Sequence, residues 1–357
     1  MLPIPRRPLP AVSQRPPGPR TRPATRCLAA AALVLAGCAR SGLPEPADRS
    51  GEPIAIPLHV TPRDRDVVRR ERAKGLAPVE AARGDDRATM AVALGRRIFV
   101  DVQMGVGVAC TTCHKAERAG SGPPVSYGSE RILDVPSLTN LRHYTRFGTG
   151  GGASSLAEFV SSHLVTLSSG QDPSVRDRAI DAASGGALRG LFPDGPGEAP
   201  SSIVGLAGKA LGAYLESIVA TSRIDSFLRG DDRALSPQEL EGFDAFFDRG
   251  CVTCHEGAAL GGRVVATLGL AIPWPGDAPL GEHAEWRPRR ARRVASLRAA
   301  AVSAPYFNEG AIADLPTAVQ LMATHQLGVT LPDRERDALV AFVRALSGTV
   351  PASLHGP

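Results

Sequence analysis

Apolar residues recur at helical spacing in four stretches of the chain, at residues 87–99, 201–221, 236–250 and 334–346. The faces they form are Met90, Leu94 and Ile98 in the first stretch, Ile203, Leu206, Ala210, Tyr214 and Ile218 in the second, Leu240, Phe243 and Phe247 in the third, and Leu339, Phe342, Val343 and Leu346 in the fourth. Strand-type alternation is scarce. The pattern therefore predicts a mostly α-helical protein whose helices each bury one face.

The third helix has the best-defined start. Ser236 is followed by Pro237 and, three residues after the serine, by Glu239, which is a capping box with proline at the first helical position. This helix ends just before Cys251, so we expect it to position the residues that follow.

The first 37 residues have the pattern of a targeting signal. Arginines and prolines precede an uncharged run from Cys27 to Gly37, which is shorter than the ~20 residues that span a bilayer. Leu-Ala-Gly before Cys38 resembles the lipobox of bacterial lipoproteins. It predicts a lipoprotein signal peptide at residues 1–37 and a lipid anchor at Cys38 on the periplasmic side of a bacterial membrane. Ordinary secretory cleavage without a lipid is the alternative.

Residues 38–85 are rich in proline, arginine and acidic residues without an apolar period, which predicts a flexible tether. The formal net charge of +5 misleads, because six arginines and no acidic residue precede Cys38. Without that leader the chain is close to neutral. Nucleic acid is therefore not the expected partner.

Two Cys-x-x-Cys-His motifs carry the candidate chemistry, and no cysteine after Cys38 lies outside them. Two thiols at this spacing add to the two vinyl groups of one haem, and the histidine that follows becomes an axial ligand of the iron. A thioredoxin-like redox pair does not need the histidine, and a zinc site would need both cysteine pairs together. The motifs predict two covalently bound c-type haems, at Cys110, Cys113 and His114 and at Cys251, Cys254 and His255.

The two motifs are separated by the length of a small domain, and each follows a predicted helix. We expect two cytochrome c-like helical domains, each with one covalently attached haem. The N-terminal haem domain is placed at residues 86–224 and the C-terminal one at residues 225–350.

The chain resembles the bacterial dihaem cytochrome c peroxidase and MauG family. The second half carries the most specific blocks, "SRIDSFLRGDDRALSPQELEGFDAFFDRGCVTCHEGAALGG", "SLRAAAVSAPYFNEGAIADLPTAVQLMATHQLG" and "LVAFVRALSG". The first half matches through "LGRRIFVD", its haem motif and "VPSLTNL". Together these blocks cover roughly residues 88–348.

For the second haem, the resemblance implies electron acceptance and a methionine as the far axial ligand, at the position of Met322. A thioether ligand raises the reduction potential, which suits a haem that receives electrons. By residue pattern alone, Met322 is also an ordinary core residue of an amphipathic helix, and His325 is a competing ligand. The resemblance further implies that Arg298 contacts a haem propionate; a solvated arginine is the alternative.

The resemblance also implies an interdomain calcium ion. Its ligands would be the side chain of Asn140 and the backbone carbonyl groups of Ser303 and Pro305. Oxygen ligands of this kind suit calcium, although an asparagine in a loop is commonly a turn residue.

Around the first haem, the chain departs from the family. Relatives have a distal histidine, an interhaem tryptophan, two acidic or amide pocket residues and a second histidine, which align at or near Ser129, Gly148, Phe159, Ser169 and Asn308. Splitting peroxide needs a group that moves a proton between its oxygens. Tyr127, His143 and His163 lie in the right segment to replace that group, or are ordinary packing residues.

The expected function is that of a periplasmic peroxidase that reduces hydrogen peroxide with electrons from a monohaem cytochrome c or a copper protein. A dihaem electron carrier without peroxidase activity and a MauG-like protein-modifying oxidase are the alternatives. The arginine run at Arg287, Arg289, Arg290, Arg292 and Arg293 is either a docking surface for the donor or a solvated loop.

Overall fold

The computed structural model describes residues 62–80, 86–101, 109–127, 131–168, 172–194, 201–274, 291–307, 310–348 and 354. The signal peptide, Cys38 and most of the expected tether lie outside these residues. No helix of the described part is both long and apolar enough to cross a membrane.

The described chain is mostly helical. Its helices are α1 (Pro62–Ala73), α2 (Asp86–Val100), α3 (Leu156–Leu167), α4 (Pro173–Ser184), α5 (Ala187–Leu191), α6 (Ile203–Ser217), α7 (Arg223–Leu228), α8 (Pro237–Asp248), α9 (Leu315–Met322) and α10 (Asp333–Ala345). Two antiparallel hairpins join β1 (Gly122–Tyr127) to β2 (Arg131–Val135) and β3 (Val265–Thr267) to β4 (Ala291–Arg293). The four predicted helices are α2, α6, α8 and α10, and the capping box at Ser236 is present.

The prediction was wrong for one residue of the buried helix faces. Met90 is 62% exposed, whereas Ala91 and Ile98 of the same helix are buried. The contact of α2 with α6 runs through small residues because the two helices approach closely at Gly95. Met90 lies about 100° around the helix from Ala91, so its side chain leaves that contact line.

Residues 60–357 form one compact unit, whose described part contains two large apolar cores and a smaller apolar cluster of Ala300, Leu315, Val340 and Val343. The first core takes most of its residues from the chain between Ile98 and Ile218. The second takes most of its residues from the chain between Ile224 and Leu346. Each haem motif follows a helix of one core, so the two motifs are held by separate sets of packed helices.

The helix pairs that build the two cores share one packing scheme. A Cβ atom on Gly95 of α2 would lie 2.0 Å from the carbonyl oxygen of Ala210 in α6, and one on Gly242 of α8 would lie 2.0 Å from that of Ala338 in α10. One turn further along, Phe99 contacts Tyr214 and Phe246 contacts Phe342, with ring centroids 5.2 and 5.4 Å apart. Both helices that precede a haem motif are therefore seated by a glycine and an aromatic ring.

The tether prediction was wrong for Pro62–Ala73, which forms α1. Arg69 of this helix makes a bidentate ion pair with Asp244 of α8, and Arg72 pairs with Asp248. Ala73 joins the second core. The segment has few apolar residues, and its arginines pair with carboxylates of α8 that lie far away in the sequence. The sequence pattern of the segment alone therefore does not predict this helix.

Candidate haem sites

The two haem motifs adopt the same backbone conformation. Each begins with a turn of 3₁₀ helix, at Cys110–Thr112 and Cys251–Thr253. The backbone N–H of His114 donates to the carbonyl of Cys110 at 2.9 Å, and that of His255 donates to the carbonyl of Cys251 at 3.0 Å. Each histidine is thereby brought onto the same turn as its cysteines.

Both histidine rings are oriented by a backbone carbonyl group. The Nδ1 atom of His114 lies 2.6 Å from the carbonyl oxygen of Gly120, and that of His255 lies 3.3 Å from that of Leu260. An Nδ1–H donor in this position leaves the lone pair of Nε2 free for a metal, which is the usual outer-shell arrangement of a ligating histidine.

The protonation states also fit axial ligands. Burial lowers the pKa of His114 to about 4 against the smaller opposing effect of the hydrogen bond to Gly120, and the charge of His163 lowers it slightly further. Burial likewise lowers the pKa of His255. Both rings are therefore neutral at pH 7, as metal ligation requires.

The thiols do not resemble those of a redox pair or a zinc site. Burial raises the pKa of Cys110 and of Cys251 to about 11, so neither is a reactive thiolate at neutral pH. Within the described ranges, no three His, Cys, Asp or Glu side chains are grouped so as to hold a metal ion. The residues present fit haem attachment at each motif: two thiols for the vinyl groups and one oriented, neutral imidazole for the iron.

The two candidate far ligands of the second haem lie on adjoining helical turns. Met322 is the last residue of α9 and is partly buried, and a π-helix at Ala323–Leu327 follows it directly. His325 lies within this π-helix, with Nδ1 3.0 Å from the carbonyl oxygen of Ile272 and its ring edge-on to Trp274. π-helical turns are frequent at functional sites.

Arg298 is fully buried in an ion pair that the sequence did not reveal. Its guanidinium group makes two hydrogen bonds to the carboxylate of Asp225, at 2.8 and 2.9 Å. It also donates to the carbonyl of Ala258 at 2.8 Å and to the hydroxyl of Ser222 at 3.1 Å. Most of its donors are therefore satisfied by protein, so the solvated alternative was wrong. Asp225 lies at the capping box of α7, which was its only sequence signal.

The residues expected to bind calcium already have partners in the protein. The side-chain amide of Asn140 donates to the carbonyl of Ala220 at 3.1 Å and accepts from its N–H at 3.0 Å. The carbonyl of Ser303 accepts from Arg118 at 3.4 Å. Pro305 follows a cis peptide bond. A calcium ion would have to share these oxygens with existing donors.

The three distal candidates of the first site do not lie together. His163 is stacked on Phe159 with ring centroids 6.1 Å apart, and its charge acts on His114. His143 instead feels the charges of Arg298 and Asp225. The side chain of Tyr127 lies outside the described residues.

Gly148, at the position of the interhaem tryptophan, has φ +77°, and a Cβ there would lie 3.0 Å from the ring of Phe159. A tryptophan does not fit this backbone.

The remaining expected residues fall into two groups. Arg293 is not a free docking residue: its guanidinium lies 5.0 Å from the ring of Tyr144, and its Nε donates to the carbonyl of Gly148. Arg292 is in the described part and takes part in a polar interaction of its own. Ser129, Ser169, Arg287, Arg289, Arg290 and Asn308 lie outside the described residues.

Two haem-attachment sites of this kind in a mostly helical chain define a dihaem c-type cytochrome. The family model for di-haem cytochrome c peroxidase matches residues 89–233. The cytochrome c551 peroxidase of Pseudomonas aeruginosa is 29% identical over 274 residues, covering 72% of this chain and 79% of the relative. The cytochrome c peroxidase Ccp of Escherichia coli is 38% identical over 138 residues, covering 37% of this chain and 30% of the relative.

The comparison with solved structures agrees with this similarity at the level of the fold. A solved MauG-like protein associated with microbial copper homeostasis has a TM-score of 0.60 at 20% identity, covering 80% of this chain and 96% of the other. Residues 89–233 thus match the di-haem cytochrome c peroxidase family model, and most of the chain is similar to peroxidase-like oxidoreductases of that kind, a likeness that supports two c-type haems.

Proposed function

We propose that this chain is a periplasmic, lipid-anchored peroxidase that reduces hydrogen peroxide to water with electrons from a monohaem cytochrome c or a copper protein. The observation that carries the proposal is the inequality of the two sites. Their near sides are alike, whereas Met322 and a π-helix follow the second motif in the chain, and the charge of His163 acts on His114 of the first. One site is thus suited to accept electrons and the other to use them.

The reaction consumes one peroxide, two electrons and two protons and releases two waters. The bound haems supply the redox-active irons. His114 and His255 hold the irons, and Met322 or His325 completes the second site. Burial lowers the pKa of His163, so this side chain is neutral at pH 7 and is able to take a proton from one peroxide oxygen and deliver it to the other.

The test is oxidation of a reduced monohaem cytochrome c by the purified holoprotein when peroxide is added. We expect turnover, and a loss of about 100-fold in kcat in His163→Gln if the proton transfer is its role. Ser162→Ala, an exposed neighbour on α3, is the matched control and should retain the activity.

A second candidate is a dihaem electron carrier. Gly148 and Phe159 favour it, because they close the position where relatives carry a tryptophan. A first haem that is six-coordinate and low-spin and does not react with peroxide would support the carrier and exclude both enzyme functions. Peroxide reactivity without oxidation of the small cytochrome would favour the MauG-like oxidase.

The anchor and the calcium ion are proposed from the sequence alone. Cys38→Ser should release the protein from the membrane fraction and abolish incorporation of labelled fatty acid. For calcium, a chelator should lower the melting temperature of the holoprotein if Asn140, Ser303 and Pro305 bind the ion. An unchanged melting temperature would favour the protein donors seen at these oxygens.

A further inference from the structure

His143 carries one of the few buried polar atoms that have no partner in the described structure. Its Nε2 atom is inaccessible to solvent and makes no hydrogen bond. Most buried polar atoms of native proteins are hydrogen-bonded, so an unpaired one needs an explanation such as a bound group or a water. The ring is neutral at pH 7, because burial and the charges of Arg142 and Arg298 lower the pKa of His143 against the opposing effect of Asp225.

The backbone that carries this side chain is held by hydrogen bonds. The N–H of His143 donates to the carbonyl of Asn140 at 3.1 Å, and the N–H of Asn140 donates to that of Ile218 at 2.8 Å. The paired amide of Asn140 and backbone of Ala220 fix the same turn. The backbone position from which the imidazole of His143 extends is therefore set by the fold.

The segment that carries His143 lies against the loop that follows the second haem motif. The N–H groups of Thr145 and Arg146 both donate to the carbonyl of Gly262 at 3.1 Å. A Cβ on Gly262 would lie 2.4 Å from the ring of Tyr144, so the two segments are in direct contact. His143 thus lies between two residues of the first core, Leu141 and Tyr144, in a segment that contacts the loop after the second haem motif.

The charged groups beside His143 do not exclude an anion, because they form a neutral pair. Arg298 and Asp225 neutralise each other in their bidentate pair, and most donors of Arg298 are used. A c-type haem brings two propionates, which need donors at the edge of their pocket. In the neutral tautomer that carries its proton on Nε2, the unpaired nitrogen of His143 is a donor of the right kind.

We propose that the Nε2–H group of His143 donates a hydrogen bond to a propionate carboxylate of the haem attached at Cys251 and Cys254. His143 is then a positioning residue that couples the first core to the second haem. The proposal rests on the haem attachment of the proposed function, but not on peroxide chemistry.

The test compares the holoproteins of His143→Phe, His143→Gln and Arg142→Gln with the wild type. Haem content is first measured from the pyridine haemochrome, which checks attachment independently. The reduction potential of each haem is then followed by titration monitored by electron paramagnetic resonance. Removing a donor from an anionic propionate stabilises ferric iron, so we expect His143→Phe to lower the potential of the second haem alone. His143→Gln, which retains a side-chain N–H, should restore much of it.

Arg142→Gln is the control, since it removes an exposed neighbouring charge and leaves the Nε2 atom in place. A second readout is the propionate bending mode in resonance Raman spectra, which should shift in His143→Phe. The proposal would be overturned if the second haem had the same potential in His143→Phe as in Arg142→Gln and if the propionate mode of His143→Phe matched that of the wild type. This result would show that only a water fills the site. A shift confined to the first haem would overturn it as well. If His143→Gln has a low haem content but both of its potentials are intact, its resonance Raman spectrum is compared with that of the wild type. Identical propionate modes support the hydrogen bond, and different propionate modes contradict it.

Discussion

The two haem halves of this chain agree on one side and differ on the other. Gly95 with Phe99 and Gly242 with Phe246 seat the preceding helices in the same way, and both motifs turn in the same 3₁₀ conformation. The second half has a π-helix that follows Met322, while the first half has α3 with His163.

The difference indicates that the residues for haem attachment and the residues for reactivity come from different elements of the fold. A haem motif and the helix before it are adjacent in sequence, so one local pattern builds the near side of both sites. The far sides come from elements distant in sequence and different in kind. Chemistry is therefore free to differ between the sites while attachment stays the same.

The largest expected effect tests the equality of the near sides. Replacing Cys110 and Cys113 with alanine, or Cys251 and Cys254, should remove one of two covalent haems, because each pair supplies both thioether bonds. Haem staining and the haem-to-protein ratio should fall by about half in each variant. Complete loss of both haems from one pair would show that the halves do not load independently.

The next effect tests the inequality of the far sides. Met322→Ala should abolish the methionine–iron charge-transfer band at the red edge of the visible spectrum, because no other thioether is proposed there. His325→Ala and His163→Gln should retain it. If the wild type lacks the band and the second haem becomes high-spin in His325→Ala, the ligand is His325.

A smaller effect tests the shared packing scheme. Gly95→Ala and Gly242→Ala should each destabilise the fold by about 1–3 kcal/mol, because a Cβ would meet a carbonyl oxygen of the facing helix. Gly190→Ala in α5 is the control, since nothing lies near its Cβ position. Urea unfolding should show this variant unchanged or stabilised by about 0.5–1 kcal/mol. Tolerance of alanine at only one of the two sites would mean that the cores are packed differently.

The smallest effect concerns the hairpin of the first half. Burial raises the pKa of Asp134 to about 7, against the opposing effects of Arg118 and the Val135 backbone. The folded protein therefore holds a proton that the unfolded chain releases near pH 4, so stability is lost as the pH rises from about 4 to about 7. In Asp134→Asn this decline in melting temperature should be reduced. A decline of unchanged size would assign it to other groups.

Much of the near side was predictable from the sequence. The two pentapeptides, the capping box at Ser236 and the helical faces were all readable, and the structure has these helices. The errors have physical causes. Met90 was placed on a buried face because periodicity does not show how closely two helices approach. The segment Pro62–Ala73 was placed in a tether because its arginines bind carboxylates far away in the sequence.

The sequence by itself determined where the haems attach, because a covalent motif needs only neighbours one turn apart. The tertiary structure decided what surrounds them. Arg298 is paired with Asp225, and the charge of His163 acts on His114. His143 has an unpaired nitrogen in the segment that contacts the loop after the second haem motif. These outcomes depend on which distant segments share a low-dielectric interior, where each buried charge or donor must find a partner, and no local pattern specifies that partner.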